Sequence, residues 1–434
     1  MFLPDVAKNI ISQIEKSGYH AYAAGATVRE IVMNEMPVAF VMATDAPKEV
    51  IRSLFKRTID NKNRNNSIVV MENKTAFEFF CPLNNKKPSK ELIKDILYQF
   101  DFTINSMAYN ETDGIIDYFG GMSDLENKTV RFVNNSHLAI AEKPVRMLRA
   151  VRYCAQLGFS IDEKTVADIK KCSMLIKRGS NDKIREELDK VLLSENPGAF
   201  KMMHELGILR YIMPELDTCF YVPQRNKYHI YNVGEHITHA VMNTPEDAVL
   251  RWAALLHDIG KPECKSVDSN GIIHFYGHHR GSVRLATDIL RRYKIDAQVS
   301  KDILTLIENH DVRIEATSLG VKKMMARTGS EVFSKLLILQ EADNKAKNMK
   351  FFPDKKNKIN DVRRIYQKVI AERHPYKLSD LVVNGRDLNK LGFRPGHEVS
   401  DTLQSLLEEV LINPELNNRD YLIQRAKYYR KKKH

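Results

Sequence analysis

Imidazoles and carboxylates recur through the middle of this chain: His236, the adjacent pair His257-Asp258, then His278, His310 and Asp343. Imidazole nitrogen and carboxylate oxygen without thiolate suit a hard or borderline divalent ion; Mg, Mn and Ni lead, with Fe and Zn behind. Such an ion with an open position brings bound water within reach of deprotonation near neutral pH, which is hydrolase chemistry. The central pair follows an apolar run, Leu250-Arg-Trp-Ala-Ala-Leu-Leu256, and precedes Gly260 and Lys261. Adjacent helical residues point about 100° apart. His257 and Asp258 are therefore expected to grip one ion from two sides, with Lys261 placed to hold a phosphate.

A His-Asp dipeptide alone is weak evidence. The ordered set is stronger: Tyr228-His-Ile-Tyr-Asn-Val-Gly-Glu-His236, His257-Asp258-Ile-Gly-Lys261, Phe275-Tyr-Gly-His278, Glu308-Asn-His310-Asp311 and Glu341-Ala-Asp343. It resembles the successive motifs of HD-superfamily metal phosphohydrolases. The resemblance implies His236, His257, Asp258 and Asp343 around a main ion, with His278 and His310 at a second. His239 and His279 are read as solvated or packed.

The elements that must position these residues are legible in outline. The chain has 434 residues, enough for two to four domains, and 43% hydrophobic with 28% charged residues describes a globular protein. No apolar stretch approaches a membrane span and the N-terminus lacks signal-peptide character, so the cytoplasm is the expected location. Five scattered cysteines without a C-x-x-C pair suggest packed thiols rather than disulfides or a structural zinc site. The net charge of +12 favours a polyanionic partner. Arg146, Arg149 and Arg152 recur every third residue behind Pro144 and form a helical stripe, with Val145, Leu148, Val151 and Ala155 on the other face.

The fold class is expected to be α+β. Residues 1–135 read as a mixed α/β head with strands at 67–71 and 76–80 and a basic loop at 84–90. Strand signals then nearly vanish, and helical periodicity breaks near 214–224, 265–271 and 352–360. These breaks suggest a helical neck at 136–220, a metal-binding body at 221–350 and a helical tail at 351–434.

A second set of motifs runs through the head: Gly25-Ala-Thr-Val-Arg-Glu30, Ala43-Thr-Asp-Ala46, Asp101-Phe-Thr-Ile-Asn105, Asp117-Tyr-Phe-Gly-Gly121 and Glu142-Lys-Pro-Val-Arg-Met-Leu-Arg-Ala-Val-Arg152. Together with Ile184-Arg-Glu-Glu-Leu-Asp-Lys190 and Val383-Asn-Gly-Arg-Asp-Leu388, they resemble a bacterial tRNA nucleotidyltransferase of the CCA-adding and poly(A) polymerase family. The resemblance implies tRNA or other RNA ends and nucleotides as partners, with Arg29, Asp101, Asn105, Arg146, Arg149 and Arg152 as binding residues, and a residual nucleotide as a ligand of the head. The departures all weaken one chemistry. Ala39 and Val41 stand where the family carries its two metal-binding acids, Ala26 replaces a glycine near the phosphates, Gln99 and Phe100 replace two arginines, and Lys143 replaces the base-selecting aspartate. Lysine has no hydrogen-bond acceptor and cannot reproduce that aspartate.

These readings lead to an HD phosphohydrolase acting on nucleotide or RNA phosphoesters, behind a head that no longer transfers nucleotides. The alternatives are an active CCA-adding enzyme whose acids lie elsewhere, at Glu35 or Asp45, and an inert tRNA-binding protein.

Overall fold

β-Branched and aromatic runs separated by Asn and Gly turns build a seven-stranded sheet in the N-terminal part of the chain. The computed structural model describes residues 3–61, 66–82, 89–224 and 228–433. The strands are β1 (Ala21–Ala24), β2 (Phe40–Thr44), β3 (Thr58–Asp60), β4 (Ser67–Glu72), β5 (Thr75–Phe80), β6 (Met107–Asn110) and β7 (Gly114–Asp117), in the order β3-β4-β5-β2-β1-β6-β7. β2 and β5 run parallel, in a register that sets Val41 opposite Glu78. The two strands expected at 67–71 and 76–80 are β4 and β5. Asn73 and Lys74 join them with positive φ of 48° and 65°, the backbone a two-residue hairpin turn demands. Residues 84–88 of the basic loop lie outside the described residues.

The chain divides into two compact units, Met1–Ile212 and Met213–His434. Behind the sheet, unit one carries the helices Arg146–Leu157 and Asn181–Leu192, which pack together. Asp117 explains why its glycine motif is needed. One carboxylate oxygen accepts from the amides of Phe119, Gly120 and Gly121 and the other from Met122, all at 2.9–3.1 Å. A Cβ on Gly121 would lie 2.4 Å from the Thr103 carbonyl oxygen.

Unit two is helical, with Val233–Met242, Ala248–Leu256, His278–Arg292, Ala297–Asn309 and Ser330–Lys345 surrounding the metal-ligand motifs. Its apolar run is buried from Leu250 through Leu256, and each fully buried leucine there contributes roughly 1.5–3 kcal/mol. The tail packs around its own core of Val383, Leu388, Leu406, Val410 and Leu422. There Asn384 caps the helix Gly385–Lys390, and Asp387 bonds back to the Asn384 amide, a reciprocal capping box.

Two sequence expectations change. Strands do recur after residue 136: Ser160–Ile161 pairs with Thr129–Val130, and Lys265–Val267 forms a hairpin with Ile273–Phe275. The hairpin is too short for alternation to register. Its turn is fixed by the Asp268 carboxylate, which accepts from the amides of Asn270 and Ile272, and by Gly271 at φ 75°. The break expected at 352–360 is instead the start of the helix Phe352–Ala371, because Pro353 sits in its first turn, where a missing N–H costs nothing. All five cysteines are free thiols and four are buried. Among the described residues, no helix is long and apolar enough to cross a membrane.

Candidate metal centre and head cleft

The helix Ala248–Leu256 ends at His257, and the turn through Gly260 then packs against the start of the helix His278–Arg292. A Cβ on Gly260 would lie 2.4 Å from the Ser282 amide nitrogen and 2.5 Å from the His278 carbonyl oxygen. Only glycine allows this approach, which the Ser282 hydroxyl also fixes by accepting from the Gly260 amide at 3.0 Å. The adjoining hairpin and Gly277, at φ 70°, turn the chain so that His278 opens its helix facing Asp258.

Six expected ligands converge. His236, His257, Asp258 and Asp343 offer atoms within 4.8 Å of one another, and Asp258, His278 and His310 form a second group sharing the same aspartate. Asp258 Oδ2 lies 3.2 Å from the Nε2 atoms of both His236 and His257, while Oδ1 lies 3.1 Å from His278 Nε2 and 3.6 Å from His310 Nε2. Asp343 Oδ1 is 3.0 Å from His236 Nε2. Each histidine directs Nδ1 to a backbone carbonyl: Ala346 for His236, Ala254 for His257, Phe275 for His278 and Ile307 for His310, at 2.7–3.1 Å. A proton on Nδ1 leaves Nε2 as a lone pair, the tautomer a metal needs. These lone pairs nevertheless face one another, His236 to His257 at 3.3 Å and His278 to His310 at 3.2 Å. The buried Asp258 Oδ1 accepts no hydrogen bond. Converging lone pairs and an orphaned carboxylate oxygen fit divalent cations, with all-nitrogen-and-oxygen donors favouring hard or borderline ions.

Two ammonium groups border the cluster. Lys261, buried, lies 2.6 Å from Asp258 Oδ2 and donates to Gln224 Oε1 at 2.8 Å; Lys347 pairs with Asp343. Burial opposes ionisation of Asp258 and Asp343, but the surrounding histidines and lysines outweigh it and hold both carboxyls well below the usual range. Burial likewise opposes charging of His257, yet the two carboxylates lift its imidazole to about 9. An arriving cation would displace that proton. His239 stacks on Tyr231 and His279 lies 4.0 Å from Asp311; neither joins the ligand groups. Sequence reasoning missed Gln224 and Lys347, and it quoted His229, which lines the mouth of the centre, within a motif without giving it a role. Lys347 follows Asp343 by four residues, a spacing that could have shown it.

In unit one, the head motifs line a cleft of about 530 Å³. Val41 and Phe100 occupy its floor: a Cβ on Gly25 would lie 2.9 Å from the Phe100 ring and 3.2 Å from Val41, and Phe100 packs on Phe80 at 5.1 Å. Ala26, Gln99 and Lys143 also line it, whereas Ala39 precedes β2 and is exposed. The arginine stripe turns inward. Arg146 Nε donates to Asp101 at 2.5 Å, Arg149 pairs with Asp101 and Glu187, and Arg152 Nε donates to Glu187 at 2.6 Å. Arg29 is buried, with Nη1 donating to Asn105 at 2.6 Å and Nη2 to Glu30 at 2.7 Å. Glu187 was not identified from sequence as the partner of two arginines. Asp45 lies beyond β2, 2.9 Å from His20 Nδ1 and bonded to Ser89; neither it nor the exposed Glu35 lines the cleft.

Comparison with known proteins matches three family descriptions along the chain: the Poly A polymerase head domain at residues 21–131, the probable RNA and SrmB-binding site of polymerase A at 158–220, and the HD domain at 227–348. The CCA-adding enzyme of Ligilactobacillus salivarius (strain UCC118) is 26% identical over 444 residues, covering 98% of this chain and 97% of its own. Along nearly its whole length the chain is thus similar to a CCA-adding enzyme, and residues 227–348 match an HD domain. The A-adding tRNA nucleotidyltransferase of Deinococcus radiodurans is 28% identical over 334 residues, covering 73% of this chain and 75% of its own. The fold matches the Bacillus stearothermophilus CCA-adding enzyme in complex with CTP, with a TM-score of 0.72, 21% identity and 98% of both chains covered. The Poly A polymerase head match lies in unit one and the HD match in unit two.

Proposed function

We propose that this nucleotidyltransferase-family protein works as a metal-dependent phosphohydrolase, with the HD centre hydrolysing phosphoesters on nucleotide or RNA ends and the head no longer transferring nucleotides. The observation that carries the reading is the convergence of four Nδ1-anchored histidines on Asp258 and Asp343. A divalent ion bound there would supply Lewis acidity toward phosphate and activate water. His236, His257, Asp258 and Asp343 would hold one ion, and Asp258, His278 and His310 a second. Lys261 offsets negative charge beside Asp258, while Gln224 fixes its ammonium. Net hydrolysis adds water across one P–O ester bond: the bond to the leaving oxygen breaks, a new P–O bond forms, and the leaving oxygen takes a proton.

Apolar contact among Val41, Phe80 and Phe100 supports loss of transfer in the head, because two-metal chemistry needs carboxylates at that floor. The name of the Deinococcus radiodurans relative points to tRNA as the RNA class. With its arginines committed to Asp101 and Glu187, the neck of this chain is read as a braced surface for an acceptor end.

The test is Asp258→Asn. Metal content by plasma mass spectrometry and hydrolysis of an RNA 2′,3′-cyclic phosphate in Mn are both expected to fall by at least tenfold, since this carboxylate serves both ligand groups. Unchanged metal and rate would end the phosphohydrolase reading.

A further inference from the structure

The mouth of the metal centre, about 270 Å³, continues into a second groove of about 920 Å³, and the two share His310, Asp311, Asp343 and Lys347. That volume lies near the top of the range for ligand sites, roughly 300–1,000 Å³, and is more than one phosphate monoester at the metals requires. One wall is cationic: Lys347 at the centre's edge, then Lys355 and Lys358 on the helix Phe352–Ala371. Among the described residues, neither Lys355 nor Lys358 has a carboxylate partner within ion-pair distance. Burial, then the charge of Lys347, pushes the Lys355 ammonium below its ordinary value against the pull of Asp343, and its Nζ lies 5.7 Å from the centre of the Tyr228 ring. Arg313 adds positive charge to the lining, which also includes Asp311 and Glu315. Ile359 and Val362 give the lysine wall an apolar floor. Unneutralised ammonium groups leading away from a phosphate-directed centre, above an apolar floor, fit alternating phosphates and flat bases.

We infer that this groove seats the phosphodiester chain adjoining the scissile phosphate, so that the HD centre takes RNA ends of two or more nucleotides in preference to free mononucleotides. The inference rests on the phosphohydrolase reading for its direction, but the groove can be tested by binding alone. Fluorescence anisotropy of a 5′-labelled single-stranded hexaribonucleotide would compare the full chain with Lys355→Glu/Lys358→Glu and with the milder Lys355→Gln/Lys358→Gln, circular dichroism confirming that each variant is folded. Binding is expected to weaken at least tenfold in the first variant and less in the second. The salt dependence, log Kd against log salt, should become shallower by about 1.4, at roughly 0.7 per lost single-strand phosphate contact. Unchanged affinity and slope would overturn the groove, as would equal competition by a polyglutamate peptide. In hydrolysis, the ratio of kcat/KM for a cyclic-phosphate dinucleotide over the mononucleotide should fall at least fivefold in the double-Glu variant. No hydrolysis of either substrate, with binding still sensitive to the variant, would defeat the phosphohydrolase reading and leave the groove standing. Hydrolysis with no preference for length would defeat the groove and leave that reading standing.

Discussion

Replacing Gly260 with alanine tests how closely the metal centre depends on one backbone contact. The added Cβ would sit 2.4 Å from the Ser282 nitrogen, 2.5 Å from the His278 oxygen and 2.7 Å from the Gly281 carbonyl carbon. Ordinary contact needs about 3.4 Å, so the turn and the helix His278–Arg292 must separate by about 1 Å, and all three obstacles are backbone. Forcing such overpacking costs about 1–3 kcal/mol, which lowers Tm by about 2–12 °C for a unit of this size. The same shift would carry His278 Nε2, now 3.1 Å from Asp258 Oδ1, away from the shared carboxylate. Metal sites tolerate about 0.2 Å in ligand distance. Bound metal at the second ligand group should therefore drop along with stability. Gly281→Ala is the control: its Cβ would meet Glu263 Oε2 at 3.3 Å and the Gly260 Cα at 3.4 Å, and a helical Gly→Ala exchange carries a gain of up to about 1 kcal/mol. Calorimetry and metal analysis of both variants decide the matter. A Gly260→Ala protein with wild-type Tm and metal content would refute the close-approach argument.

Two further predictions concern other parts of the chain. Burial opposes ionisation of Asp101, but Arg149 and Arg146 outweigh it and hold its carboxyl below the usual value. A depressed carboxyl contributes stability above its unfolded pKa, about 3.9, and loses it as pH falls through the folded value; Asp101→Asn should thus flatten the loss of Tm between pH 5 and pH 3, whereas parallel profiles for both proteins would show that this pairing does not set acid stability. Asn384→Ala removes the cap of the helix Gly385–Lys390 and should cost about 1 kcal/mol, read as an earlier urea midpoint for unit two; an unmoved midpoint would deny the cap that role.

The candidate ligand cluster was legible because imidazole and carboxylate types announce their chemistry wherever the fold brings them together. His236, His257, Asp258, His278, His310 and Asp343 all meet at one place. Gln224 was not legible, since it comes from a stretch between helices without periodicity. Lys347, by contrast, stands one helical turn after Asp343 and was readable. For the arginine stripe, spacing revealed the helix but not its partners: Glu187 lies 38 residues from Arg149, and only tertiary packing pairs them. The strands β4 and β5 were found from alternation, while the hairpin Lys265–Phe275 was missed because three residues per strand give alternation too little length. Acids absent from positions 39 and 41 could be read directly. That Val41 and Phe100 then meet over Gly25 could be seen only in three dimensions.

The most direct test of the account uses tRNA whose 3′ end is intact, trimmed or closed as a 2′,3′-cyclic phosphate, incubated with the full-length protein, CTP, ATP and Mg or Mn, with the terminus read by intact mass. The account predicts opening or removal of the terminal phosphate and no added C or A residues. Nucleotide addition to the trimmed end, with the phosphate untouched, would contradict it and return the chain to the transferases its sequence most resembles.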